Sequence, residues 1–270
     1  MSEPIVDLLD EAWTSISDLC RGFEETTWDL PTDLPGWSVK DNLSHIVGTE
    51  RTMRGDAAPD VDVSGMPHVR NPVGAMNEMW IESLRSSTGA EVLAAFDQLR
   101  AERIAELRAL PRERFDEEGW TPAGQAPYRE FLRIRVFDSW MHEQDIRRAT
   151  GRPGHLSGPV AEHALDRCAL AMGFVVGKRA GAPDGTSVVI DITGEAGRTI
   201  AVLVEGRARV VGAEEAPDTP TVRLTTDVET YCCLGGGRWD PDRVLADGGV
   251  AIEGDRDLGE SVVRSLNFMI

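Results

Sequence analysis

Asp138 and His142 stand four residues apart in the segment RVFDSWMHEQDI (residues 135–146), and His45 closes the run WSVKDNLSH (residues 37–45) far upstream. On a helix, residues i and i+4 lie one turn apart on the same face, so a carboxylate and an imidazole so spaced can point at one ion. Both are ordinary ligands for a divalent transition metal. A histidine from a second helix would complete a facial triad with open positions for water or substrate, a catalytic pattern rather than a structural one. The same spacing also serves exposed charge pairs worth about 0.3–0.5 kcal/mol in many helices. A lone histidine on an apolar helix is commonly a core residue with its nitrogens satisfied. The elements that carry these side chains have to decide between the two.

The first half reads as helices. Ile5, Leu8, Leu9, Ala12, Trp13, Ile16, Leu19, Cys20 and Phe23 follow the i, i+3, i+4 pattern of an amphipathic helix over residues 5–26. PTDLPGW (31–37) is turn-forming, and Ser38 with Asp41 makes a capping-box start for a second helix that holds Val39, Leu43, His45, Ile46 and Val47. Residues 55–72 lack helical periodicity and form a long loop, unusual enough in a compact domain to suggest covering a site or a subunit contact. His68 lies in it and reads as a solvated loop histidine. Helical pattern resumes over 73–86 and 90–110, one principal helix broken near Gly89, and Pro111 ends it. After a loop at 119–127, a fourth helix runs from Tyr128 to Thr150 and stops at Gly151 and Pro153. Four helices with short connections favour an up-and-down bundle, whose core is where facing helices can aim ligands at one ion. The face with Asp138 and His142 also carries Ile134, Arg135, Met141 and Asp145, so it is mixed. A carboxylate turned inward needs a cation or donors to offset its desolvation, supplied either by a metal or by Arg135 or Arg133.

At 270 residues the chain is long enough for two domains with sizeable cores. Its 28 Lys+Arg against 46 Asp+Glu give a net charge of -18, which argues against nucleic-acid or anionic-membrane partners. The four cysteines, Cys20, Cys168, Cys232 and Cys233, contain no CxxC, so neither a zinc ribbon nor a disulfide framework is indicated. No basic segment followed by an apolar stretch opens the chain, and no apolar run approaches ~20 residues, so a cytoplasmic protein is expected.

Beyond residue 152 the character changes. After a linker-like RPGHLSGP and a helix over 160–179, short apolar or alternating runs at TSVVIDI, TIAVLVE, ARVV and TVRL suggest an antiparallel sheet with helices on one face. Helices are expected at 227–234, at DPDRVLA and at 255–268. Gly235, Gly236 and Gly237 read as a tight turn after a helix, and Cys232 and Cys233 as small packing residues. Arg238 is a candidate contact for an anionic ligand or cofactor, against the competing reading of a solvated or capping arginine.

The segments WDLPTDLPGWSVKDNLSH (28–45) and RVFDSWMHEQDIRRA (135–149) resemble the two signature regions of the mycothiol-dependent maleylpyruvate isomerase family, within the DinB-like metalloprotein superfamily. VLADGGVAIEGDRDLGE (244–260) resembles the sterol-carrier-like domain that follows the bundle in those proteins. The resemblance implies an α+β chain with a DinB-like four-helix bundle over residues 1–151 and a smaller sterol-carrier-like α+β domain with an antiparallel sheet over 152–270. It also implies a divalent metal of zinc type on His45, Asp138 and His142, with mycothiol as thiol cosubstrate. Family members often carry glutamate where this chain has Asp138, one methylene shorter, so coordination is either direct with a shifted ion or relayed through water.

A divalent cation lowers the pKa of a bound thiol and holds it as the nucleophilic thiolate. Thiolate addition to the double bond of maleylpyruvate would permit rotation and elimination to the trans isomer. With other electrophiles the adduct would be retained. The expected function is a thiol transferase or isomerase acting on a small electrophile, with no nucleic-acid or membrane partner. The alternative is a non-catalytic protein that binds a metal or an apolar ligand.

Overall fold

In a computed structural model the described residues are 3–122 and 124–269. The chain divides into two compact units, residues 1–154 and 155–270.

The first unit contains α1 (Pro4–Cys20), the single turn α2 (Glu25–Trp28), α3 (Val39–Met53), α4 (Pro72–Leu84), α5 (Gly89–Ala109) and α6 (Tyr128–Thr150). The four longest form a ring in which α1 and α3 each pack against both α5 and α6, while α4 packs along α3. The apolar stripe of α1 is the reason it sits there: Ile5, Val6, Leu9, Ala12, Trp13, Ile16 and Leu19 are all buried. α3 starts where Ser38 and Asp41 cap each other reciprocally, and Thr88 with Glu91 makes a second box that restarts the helix as α5 at Gly89.

Gly48, one turn beyond His45, lets α4 approach α3: a Cβ there would lie 2.3 Å from Cβ of Trp80. Gly48→Ala is therefore expected to destabilise the first unit by about 1–3 kcal/mol, readable as a lowered denaturation midpoint. An unchanged midpoint would show that the α3–α4 contact yields freely.

The expected loop at 119–127 is instead a short antiparallel hairpin, β1 (Glu118–Thr121) and β2 (Gly124–Pro127). Each strand is only four residues long and neither has a run of β-branched residues, so periodicity had nothing to register.

The second unit begins with α7 (Pro159–Leu170), the short turn α8 (Met172–Phe174) and a π-helical turn at Val175–Arg179, in place of one continuous helix. Its sheet contains β3 (Ser187–Thr193), β4 (Arg198–Glu205), β5 (Arg207–Val211), β6 (Val222–Asp227) and β7 (Ala251–Gly254), in the order β5-β4-β3-β6-β7. Neighbours run antiparallel except β3 and β6, which are parallel. β7 is a strand the sequence pattern did not indicate, because only Ile252 of its four residues is an aliphatic β-former. Among the remaining helices, α9 (Val228–Gly235) and α11 (Arg256–Arg264) pack on the sheet, and α10 (Pro241–Ala246) packs on α11. Among the described residues no helix is long and apolar enough to cross a membrane.

Candidate metal centre

His45 sits midway along α3 and Asp138 and His142 one turn apart on α6, and the packing of α3 on α6 brings them together. Each offers one ligand atom, and the three atoms lie within 4.8 Å of one another. Nε2 of His45 is 3.3 Å from Oδ2 of Asp138, and Nε2 of His142 is 3.6 Å from Oδ1. Both histidines are buried.

His142 is oriented from behind. Its Nδ1 lies 2.8 Å from Oδ1 of Asn42 and 3.4 Å from Oδ2 of Asp145. The Asn42 amide faces this way because its Nδ2 donates to the carbonyl of Ser38 at 2.9 Å, leaving Oδ1 to accept. The proton of a neutral His142 therefore belongs on Nδ1, and the Nε2 lone pair faces Asp138. This carboxylate–histidine arrangement is the usual outer support of a metal-ligating imidazole. Asp145 is itself held by Arg148, which also binds Asp33. The indole of Trp37 lies against both imidazoles, with ring centres 5.3 Å from His45 and 5.7 Å from His142. That indole is anchored by its N–H, which donates to Oε2 of the buried Glu78 at 2.9 Å.

Asp138 is held from the other side. Nη1 of Arg135 donates to its Oδ2 at 2.5 Å, while Nε of Arg135 donates to Oε1 of Glu50 at 2.8 Å. Nε of Arg103 reaches the other Glu50 oxygen at 3.1 Å, and Arg103 also bonds the hydroxyl of Tyr128. Burial would raise the Asp138 pKa, but Arg135 foremost, then the two histidines, hold it well below the usual carboxylate range. His45 is pushed down by burial, against the pull of Asp138. His142 is raised, because Asp138 and Asp145 outweigh the opposing effect of burial.

The donor set fits a divalent ion. Nε2 of His142 and Oδ1 of Asp138 face each other at 3.6 Å, close enough to share one cation or one proton. Nδ1 of His45 is buried without a hydrogen-bond partner among the described residues. Two imidazoles and a carboxylate suit zinc and its neighbours in the transition series.

Arg135 does pair with Asp138, as one sequence alternative held, yet it does so beside the histidine pair rather than in place of it. Arg133 binds Glu130 instead. Arg238 lies in the second unit, where its Nη1 donates to the carbonyl of Gly236 at 2.7 Å and it lines a surface cavity with Trp239 and Arg264. His68 is not a solvated loop residue. It lies 3.1 Å from Glu78, and its ring occupies the space a Cβ at Gly36 would need, 2.8 Å away, so it pins the 54–71 loop beside Trp37. Sequence reasoning missed Asn42, Glu50 and Trp37. A clue was present in each: all three lie on or next to the His45 helix, and Glu50 interrupts its buried face.

All four cysteines are buried thiols outside any disulfide, and Cys20 is pushed up to about 12 by burial and then by Glu143. The folded protein is expected to leave a chromogenic disulfide reagent unreacted at pH 8, with all four thiols titrating in denaturant. Fast reaction in the folded state would contradict that burial.

The family model described as "Mycothiol maleylpyruvate isomerase N-terminal domain" matches residues 9–147, and that described as "SCP-2 sterol transfer family" matches residues 178–267. No curated protein matches the sequence significantly. Among solved structures, the fold is similar to the crystal structure of the mycothiol-dependent maleylpyruvate isomerase and to that of a single-residue mutant of it. Each has a TM-score of 0.56 and 15% identity, over 93% of this chain and 92% of that one. At that identity the likeness is one of fold.

Proposed function

The chain belongs to the mycothiol maleylpyruvate isomerase N-terminal domain family, and from that premise we propose that it is a divalent-metal-dependent thiol transferase or isomerase. Its thiol cosubstrate is mycothiol and its substrate a small electrophile. The observation that carries this reading is the convergence of one ligand atom each from His45, Asp138 and His142 within 4.8 Å of one another, with Asn42 backing Nδ1 of His142 on the far side of the ring. His45, Asp138 and His142 would hold the ion, zinc by its donor set, and a divalent ion there lowers the pKa of a thiol that binds it.

The chain's own residues prepare the site for that step. Asn42 and Asp145 keep the Nδ1 proton of His142 and aim Nε2 inward. Trp37 covers the two imidazoles and limits the approach of water. Arg135 keeps Asp138 ionised. We assign this machinery to residues 1–151 of a cytoplasmic enzyme. To residues 152–270 we assign a sterol-carrier-like role, with Arg238 as a contact for an anionic group.

Elemental analysis combined with a thiol-dependence assay tests the proposal. The expected result is roughly one divalent ion per chain and consumption of maleylpyruvate, or of a chromogenic electrophile, only when the thiol is present. Protein purified without metal, and inert toward electrophiles with thiol and zinc supplied, would favour a non-catalytic binding protein.

A further inference from the structure

Arg135 binds Asp138 in an unusual way. A guanidinium beside a carboxylate ordinarily makes two parallel bonds, one to each oxygen, because the fork matches the carboxylate and both charges are then fully paired. Here Nη1 takes Oδ2 alone. The adjacent Nη2 is buried and has no hydrogen-bond partner among the described residues. Leaving a buried guanidinium N–H unpaired is costly, so something must prevent the arginine from turning to take the second oxygen.

That restraint is Glu50. Its Oε1 accepts from Nε of Arg135 at 2.8 Å, and Arg103 holds its Oε2 at 3.1 Å. The side chains of Arg135, Glu50 and Arg103 are 4%, 1% and 10% exposed, so this chain of charges cannot relax into solvent. Arg135 is anchored at Nε, bonds Oδ2 of Asp138, the oxygen that also lies 3.3 Å from Nε2 of His45, and leaves Oδ1 outside the reach of the guanidinium, 3.6 Å from His142 Nε2.

We infer that Arg135, fixed by Glu50, is a positioning residue that withholds Oδ2 of Asp138 and presents Oδ1 alone, so that this aspartate acts as a one-oxygen ligand. The inference rests on the metal reading above. It also accounts for the short acid: the carboxylate has its rotation set by an arginine one turn back on α6, rather than by the reach of a longer side chain.

Cobalt(II) is the probe, added to the purified, metal-free full-length protein. Its visible absorption per bound ion is strong when the ion has four ligand atoms and weakens as the coordination number rises. Arg135→Lys keeps the charge but cannot bridge Glu50 and Asp138, so both oxygens become available. The expected result is a weaker absorption per bound ion, with a dissociation constant raised about 10–100-fold. Glu50→Gln, which loosens the anchor while leaving Arg135 in place, is expected to shift the spectrum in the same direction, and serves if the lysine variant does not fold. Spectra per bound ion identical to wild type in a folded variant overturn the inference, whatever the affinity, because a purely structural role would weaken binding without changing the ligand atoms. Failure of the wild-type protein to bind cobalt would instead remove the metal reading, and this inference with it.

Discussion

If the proposed function holds, His142→Ala is expected to abolish stoichiometric binding of a divalent metal and to lower thiol-dependent turnover by roughly a thousandfold or more, the several kcal/mol of charge stabilisation that a catalytic ion supplies. His142 is the candidate ligand with the most outer support from its surroundings. Asn42 and Asp145 fix its tautomer, Trp37 lies along its ring, and its Nε2 faces Oδ1 of Asp138. Alanine removes the nitrogen and leaves those supports aimed at nothing. His45→Ala should follow the same course, since His45 Nε2 faces the same carboxylate from α3. Circular dichroism distinguishes loss of the site from loss of the fold, because one buried side chain leaves the ring of α1, α3, α5 and α6 otherwise intact. Elemental analysis and initial rates are the deciding measurements. A folded alanine variant that kept both metal and rate would remove His142 from the centre.

The second large effect is one of stability. Glu50→Ala is expected to destabilise the first unit by about 3–5 kcal/mol, the usual result of removing one member of a buried ionic group. Glu50 is the shared acceptor of Arg103 and Arg135, and without it two buried guanidiniums face each other across an empty space. Urea denaturation reads the loss directly as a lowered midpoint. Glu102→Ala is the matched control: Glu102 also pairs with an arginine, Arg54 at 2.7 Å, but in an exposed position where solvent screens the interaction. Its midpoint should stay close to wild type. Equal effects of the two substitutions would mean that Glu50 is not acting as a buried counter-ion.

The helices, and the residues that can ligate a metal, were open to a sequence reading for local reasons. Hydrophobic periodicity marks α1 and α5, the Ser38 and Asp41 pair marks the start of α3, and the four-residue spacing of Asp138 and His142 places both on one face whatever the helix packs against. Family resemblance then joined His45 to them across 93 residues of chain. The hairpin at 118–127 and strand β7 were missed because strands that short carry almost no pattern.

The outer layer of the site was beyond local signals. Glu50 reads as another acidic residue of a helix until α5 and α6 bring Arg103 and Arg135 to its two oxygens. His68 reads as a loop residue until α4 places Glu78 beneath it. Trp37 reads as part of a turn until its ring meets two imidazoles from different helices. The pair Asp138 and His142 follows from the sequence alone, because four residues of helix impose it. Which Asp138 oxygen Arg135 takes and which His142 nitrogen Asn42 backs were decided only by tertiary structure, because both depend on partners brought to the site from elsewhere in the chain.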